Sequence, residues 1–434
     1  MKISTLVLLL FASSALAGTI NNDDSCDIAW QPAATLLLPY FEVDFNSAQP
    51  AAQQTLFTIQ NTSATPQIAN VTLWTDLAYP AWSFPVFLGG YDVQAFNLYD
   101  LFRNGVVVST SSSTPVPINP TFGSQPAEND ANPNFLPGTR AACANVPGSL
   151  PLSLVNDLRA MFTVGLTSSG CRVGYTHPSA IGYITVDVVA TCATKSPASP
   201  DYASILLYDN MLTGDYEQLA QSAGHQYAQG SPLVHIRAIP EGGAAGAVVA
   251  TSLPYTFYDR TMKRTDRRQP LPSVFAPRFI AGGPGGLNTT LKIWREGGAA
   301  PNAACSDYAK NALPIAEAVR FDEHENATVT GCNLIIPCAG PPATPLTMSI
   351  SALQTSLLPP LSTSGDVGGW LYLNLDNGGS GPRGRASQAW VMTSMYASPT
   401  YATETTAIAL GNGCSPRAGI STQSQIGPAA NTTP

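Results

Sequence analysis

Charge is what this sequence has least of. Asp, Glu, Lys and Arg make up 11% of its 434 residues, against roughly 25% in ordinary soluble domains. Histidine occurs four times, which leaves few side chains able to exchange protons near neutral pH. No Cys-x-x-Cys or Cys/His grouping has zinc-site spacing, and no Asp-x-Asp ladder marks a calcium loop. There is no His-Glu-x-x-His and no phosphate-binding G-x-x-x-x-G-K. Gly378-Gly379-Ser380-Gly381-Pro382 nears a nucleophile elbow but has proline where the last glycine belongs. Gly242-Gly243-Ala244-Ala245-Gly246 lacks the βαβ setting of a dinucleotide turn. No cofactor is implied. A net charge of −8 without a dominant basic face argues against nucleic acid.

Long apolar runs are also missing after the start. Lys2, the apolar stretch Leu6 to Leu16 and Ala15-Leu16-Ala17 have the pattern of a signal peptide cut before Gly18. The stretch is shorter than the roughly 20 residues a membrane helix needs. The expectation is a secreted or cell-surface chain with no transmembrane segment after cleavage. Eight cysteines (Cys26, Cys143, Cys171, Cys192, Cys305, Cys332, Cys338 and Cys414) then suggest disulfides. Cys143–Cys171, closing a loop around an expected helix, is the one pairing proposed.

What is abundant is turn chemistry: 36 Gly and 37 Pro, with Ser, Thr, Asn and Gln covering the surface. Period-two hydrophobicity marks strands at 35–43, 85–88, 91–98, 182–189, 204–208 and 233–238. Thr55 to Gln60 and Ile68 to Thr75, around Asn61 to Pro66, read as an antiparallel pair. Leu154, Val155, Leu158, Met161 and Phe162 recur at helical spacing, with Ser153 placed to cap. Pro39 suggests an edge or a bulge in the first strand.

The pattern then repeats. Val274 to Phe279 echoes Leu36 to Phe41, Thr290 to Trp294 echoes Thr55 to Ile59, and Glu317 to Asp322 echoes Ala69 to Trp74. Ala389 to Met395 echoes Gly182 to Val188. The fold expected is all-β: two tandem antiparallel β-sandwich (Ig-like) domains with long loops and one short inserted helix. The divisions are a signal peptide at 1–17, a mobile N-terminus at 18–25, a first domain at 26–250 with its helix near 153–162, a second at 251–415, and a disordered tail at 416–434.

LLPYFEVD, GYITVDVVATC, YDNMLTGDY, DRRQPLPSVFAPRF, GGWLYLNL and QAWVMTSMYA resemble segments of a group of exported bacterial β-rich proteins with no assigned activity. The resemblance spans most of the chain after residue 17. It implies export and β architecture, and brings no ligand or catalytic residue.

Candidate sites are few. Asp322, Glu323 and Glu325, around His324, form the densest acidic cluster, able to hold a hard cation or to end a solvated strand. His235 reads as lying on a strand's polar face, and His177 and His225 as turn residues. Asp259 to Arg268 concentrates positive charge, so Arg264, Arg267 and Arg268 are candidate partner contacts, with pairing to Asp259 and Asp266 the rival reading. Trp82, Trp294, Trp370 and Trp390 could stack on sugars or fill cores. Glycosylation signals stand at Asn61, Asn70, Asn288, Asn326 and Asn431. The functional expectation is a non-catalytic protein of surface architecture or adhesion, self-associating or meeting a surface polysaccharide or protein. The alternative is a carbohydrate-binding or glycan-processing protein.

Overall fold

The structure is a computed structural model. It describes residues 31–110, 132–136, 146–192, 194–199, 201–222, 225–238, 241, 267–269, 271–280, 286–296, 317–330, 350–354, 367–375, 388–397 and 401–410. The chain is all-β and antiparallel. Its first part forms β1 (Thr35–Val43), β2 (Gln54–Asn61), β3 (Gln67–Thr75), β4 (Pro80–Leu88), β5 (Val93–Asn97), α1 (Leu98–Asn104), β6 (Val106–Val107) and β7 (Gly148–Ser149). Then follow α2 (Leu152–Thr163), β8 (Ala180–Val189), β9 (Leu212–Ser222), β10 (His225–Pro232) and β11 (Val234–Ile236). The second part forms β12 (Val274–Ala276), β13 (Arg278–Ile280), β14 (Asn288–Arg295), β15 (Glu317–Asp322) and β16 (Ala327–Thr330). It ends with β17 (Ile350–Gln354), β18 (Gly368–Asn374), β19 (Ala389–Ala397), β20 (Tyr401–Thr406) and β21 (Ile408–Ala409).

The described residues form four large sheets. Sheet I runs β11-β1-β8-β3-β4 and sheet II β10-β9-β2-β5; sheet III runs β16-β15-β18-β12-β21, with β13 also on β18, and sheet IV β17-β14-β19-β20. Substituting strands in chain order turns the first two orders into the last two: β1, β2, β3, β4, β5, β8, β9, β10 and β11 become β12, β14, β15, β16, β17, β18, β19, β20 and β21. Among the described residues, α1, β6, β7 and α2, between β5 and β8, have no counterpart in the second part.

Side chains obey the same correspondence. Thr55 Oγ1 receives the Glu42 N–H and donates to the Glu42 carbonyl, tying β1 to β2. Thr289 Oγ1 does the same with Ile280. Trp74 stacks on Tyr183 across β3 and β8, with centroids 5.5 Å apart. Phe321 stacks on Trp370 across β15 and β18 at 4.0 Å. Each pair follows a glycine, Gly182 or Gly369, that faces Phe41 or Phe279 in the ladder.

A Cβ on Gly182 would lie 2.5 Å from the Trp74 carbonyl oxygen and 2.6 Å from the Phe41 and Phe162 rings. Backbone on one side and packed rings on the other leave no room to yield. Gly182→Ala is expected to lower stability by about 1–3 kcal/mol, the usual overpacking cost. Urea unfolding checks it, and an unchanged midpoint at unchanged slope would contradict the packing described.

Several expectations are corrected. β2 and β3 are not partners: β2 lies between β5 and β9, and β3 between β4 and β8. β3 is buried along its whole length, so it needs a sheet partner on each edge and cover on both faces. The connection therefore crosses between sheets. Asn61 holds it, its Nδ2 donating to the Thr65 and Gly89 carbonyls. Among the described residues there are two α-helices, not one. α1 is capped by the Asn97 side chain and ended by Gly105 at φ 68°. α2 starts at Leu152 after Pro151, so Ser153 lies within it and caps nothing. The expected strand at 204–208 is a 3-10 turn, Tyr202–Ser204, with an isolated bridge at Leu206. β1 does shift register between Leu38 and Phe41, the bulge expected at Pro39.

Sheets I and II share one apolar cluster, which α1 and α2 close from one end. Arg159 of α2 donates to the Phe102 and Arg103 carbonyls at 2.7 Å, satisfying the exposed end of α1. Leu271, Trp294 and Met392 of the second part join this same cluster. Residues 267–269 belong with sheet I by their bonds, beyond the expected division at 250/251: Arg268 bridges to Ala238, and the Gln269 N–H donates to Arg237.

Candidate functional site

The strands that meet between the two parts supply the densest polar cluster. On β9, Tyr216 and Gln218 stand two apart and so share a face, with Gln229 beside them on β10. Opposite are Lys292 on β14, its cross-strand neighbour Met392, and the pair Ser394 and Glu404 on β19 and β20. Lys292 Nζ lies 2.5 Å from Glu404 Oε2 and 2.5 Å from Gln218 Oε1. It also sits 5.2 Å from the centre of the Tyr40 ring. The Tyr216 hydroxyl donates to Glu404 Oε1 and lies 2.8 Å from Met392 Sδ. Gln218 Nε2 donates to the Tyr40 carbonyl at 3.2 Å. Gln229 Nε2 donates to Gln218 Oε1 at 3.4 Å, and Ser394 Oγ donates to Gln229 Oε1 at 3.1 Å.

Lys292, Glu404, Gln218, Tyr216 and Tyr40 are all buried. Burial, then the Glu404 charge, pushes the Tyr216 phenol well above its usual value. Burial and Glu42 do the same to Tyr40, whose hydroxyl donates to Glu42 at 3.0 Å. Both phenols therefore stay protonated as donors. A buried ion pair gains little net energy over apolar groups of the same shape, but stranding one partner costs much. What the cluster does securely is fix how sheets II and IV face each other. It has no counterpart in the first part: the position of Lys292 is held there by Thr58, which bonds Asp215. Sequence reasoning passed over it because its members are spread from residue 40 to residue 404.

Two of the three cationic candidates are buried in the fold, not displayed. Arg268 is 1% exposed, with Nη1 2.9 Å from Asp187 Oδ1. Thr35 and Tyr202 donate to the same carboxylate at 2.6 and 2.7 Å. Arg267 is buried with its guanidinium 5.0 Å over the Tyr208 ring. The partner of Arg268 is thus Asp187; Asp259, Arg264 and Asp266 lie outside the described residues.

The acidic cluster is a hairpin turn. The Asp322 N–H donates to the Asn326 carbonyl and the Glu325 N–H to the Asp322 carbonyl. Asp322 Oδ1 accepts from the His324 and Asn326 N–H groups, and Glu325 takes φ 62°. Thr75 to Tyr79 makes the same turn, with Thr75 Oγ1 accepting from Tyr79 and Ala78 at φ 60°. Asp322 therefore acts as the turn's side-chain acceptor. Glu323 and Glu325 are exposed, Glu323 accepting from the Val367 N–H at 3.3 Å, and among the described residues no three His, Cys, Asp or Glu side chains gather for a metal.

His177 Nε2 lies 2.7 Å from Asp76 Oδ2, and Asp76 also accepts from the Tyr175 N–H, so the pair ties the 173–177 loop to the end of β3. His225 begins β10, not a turn. His235 is buried, not on a wet face, and accepts from the Gly214 N–H at 3.3 Å. Burial lowers its pKa from 6.5 to about 4. Protons therefore bind the unfolded chain more tightly between those values, and stability falls as pH drops from 6.5 towards 4. The expected loss by pH 4 is about 3 kcal/mol, at 1.36 kcal/mol per unit. Unfolding curves of wild type and His235→Gln across this range check it, since the slope should flatten in the variant.

The tryptophans are engaged with other rings. Trp294 is buried edge-on to Tyr183, Trp370 stacks on Phe321, Trp390 packs edge-on against Phe275, and Trp82 lies 4.3 Å from Phe84. Asn61 and Asn70 are fully buried and cannot be glycan acceptors in the folded chain; Asn431 lies outside the described residues. One apolar cavity of about 190 Å³ lies between the sheets and α1, lined by Phe57, Leu73, Phe84, Phe96 and Leu101. That is below the roughly 300 Å³ of the smallest ligand pockets. Cys171 and Cys192 each belong to a disulfide, and the expected Cys143–Cys171 pairing lies outside the described residues. Cys26, Cys143, Cys305, Cys332, Cys338 and Cys414 lie outside the described residues, as do Gly242 to Gly246 and Gly378 to Pro382. Comparison of the chain with protein-family models, with curated proteins and with solved structures finds no match in any of the three.

Proposed function

We propose that this is an exported, non-catalytic protein of cell-surface or extracellular architecture, built from two tandem β-sandwiches joined face to face. The observation that carries the reading is the use made of buried polar groups. Arg268–Asp187, Lys292–Glu404, His177–Asp76 and the Asp322 turn all spend their bonds joining strands, loops or sheets. None opens onto the one apolar cavity described above. The strand-order correspondence supports the tandem reading. It does not support the immunoglobulin order, in which the first two strands pair in one sheet; here β1 and β2 lie in different sheets.

Export rests on the leader pattern, the disulfide-bonded cysteines and the resemblance to exported β-rich proteins. Among the described residues the tryptophans lend the glycan reading no support, because each candidate already packs on a neighbouring ring. Expressing the full chain with a C-terminal tag and fractionating the cells tests the proposal. Recovery from the surface or the medium, shortened by the leader, is expected; intact retention in the cytosol would end it.

A further inference from the structure

We propose that Lys292 and Gln218 become joined by an isopeptide bond, formed by the folded chain itself and linking its two halves covalently. The inference goes beyond the architectural reading and does not depend on it. A lysine amine, a side-chain carboxamide and a carboxylate meet here in one buried place. Gln218 Oε1 is 2.5 Å from Lys292 Nζ, which puts the carboxamide carbon, one bond behind that oxygen, beside the amine. Glu404 Oε2 contacts the same nitrogen at 2.5 Å. Such placement turns a reaction that is slow in water into an intramolecular one, provided the reacting atoms sit roughly 3–3.5 Å apart.

The surrounding groups fit the parts required. Glu404 is the proton carrier, and the Tyr216 hydroxyl on its other oxygen orients it. Gln229 Nε2 donates to Gln218 Oε1, where negative charge develops when the carbonyl is attacked. The Tyr40 carbonyl holds Gln218 Nε2, the leaving nitrogen. Burial excludes the water that would compete for the carbonyl.

The atoms balance without an oxidant or a second reactant. The Lys292 ammonium starts with three protons. Glu404 removes one, and the freed lone pair forms a bond to Gln218 Cδ. Glu404 then relays protons so that two from Nζ reach Nε2, and the Cδ–Nε2 bond breaks. Nε2 leaves as ammonium with those two and its own two, and one proton stays on the new amide. Glu404 ends as the carboxylate it began as. Glu404 itself is a poorer acceptor than Gln218, because a carboxylate resists attack and holds the proton the step must move.

The test is peptide mapping by mass spectrometry of the folded full-length protein, after reduction, alkylation and digestion. The expected product is a pair of peptides, one with Gln218 and one with Lys292, linked and lighter than their sum by one ammonia. Trypsin should also fail to cut after Lys292. Lys292→Arg should give separate peptides, and so should Glu404→Gln in protein that keeps its β-sheet circular dichroism. Full recovery of unlinked peptides from folded wild-type protein overturns the proposal, whatever the variants do. A Lys292–Glu404 linkage, short of one water, overturns it as well. A linked product in Glu404→Gln would overturn the role given to Glu404.

Discussion

Replacing Arg268 by alanine is expected to destabilise the chain by about 3–5 kcal/mol, the cost of stranding one member of a buried ion pair. Asp187 is completely buried in β8, the central strand of sheet I. Without the guanidinium, only the Thr35 and Tyr202 hydroxyls would face its charge among the contacts described above. The two hydroxyls can donate one proton each, but neither supplies the positive charge that the guanidinium brings. Tyr202 cannot give up more, since burial and Asp187 push its phenol well above the usual range. Equilibrium unfolding in urea checks the figure. A loss within about 0.5 kcal/mol, typical of exposed positions, would instead mean that Arg268 is displayed and would revive it as a partner contact.

Truncating Phe41 should be about as costly. Its ring lies 5.6 Å from Phe162 and 6.1 Å from Phe102, and it fills the space that Gly182 leaves open. Phe→Ala at a fully buried site loses transfer energy and leaves a cavity, for a total of about 3–5 kcal/mol. Phe279 takes the corresponding place opposite Gly369, under the Arg320 guanidinium at 4.4 Å. Phe279→Ala should therefore fall in the same range. If Phe41→Ala is severe and Phe279→Ala is harmless, the two positions are not equivalent and the correspondence between the sheet pairs fails at its core.

Strand content was legible in the sequence wherever one face is wet or both faces are apolar. β1, β8, β14 and β15 fall close to where hydrophobic period places them. β9 and β10 were not legible, because Glu217, Gln218, Gln221, Gln226 and Gln229 look like loop chemistry. Gln218 and Gln229 are there because the face of β9 and β10 that also carries Tyr216 meets a polar surface of sheet IV.

The repeat was visible but misaligned. The motif Ala389 to Met395 resembles Gly182 to Val188 in composition, yet the ladders make β18 the counterpart of β8 and β19 that of β9. The clue was Gly-aromatic: Gly182-Tyr183 and Gly369-Trp370 each lie near the start of a strand under a stacked ring. The threonine clamp also shows a slip of one residue, with Thr289, not Thr290, in the place of Thr55. Period alone cannot detect such a slip, because a run apolar at most positions scores alike in either register.

The site was less legible than the fold. Acidic density at Asp322 to Glu325 suggested an ion site, while the structure needs only one acceptor at the turn. The cluster around Lys292 has no local pattern, since β1, β9, β10, β14, β19 and β20 each supply one or two members.

Central to this account is that the two sheet pairs form one unit, sharing an apolar cluster through Trp294 and Met392 and the buried polar bonds of Lys292 to Gln218 and of Tyr216 to Glu404. Scanning calorimetry of the full chain under non-reducing conditions tests this most directly. One transition, with calorimetric and van't Hoff enthalpies in agreement, is the predicted result. Two separate transitions, one for each half, would contradict it.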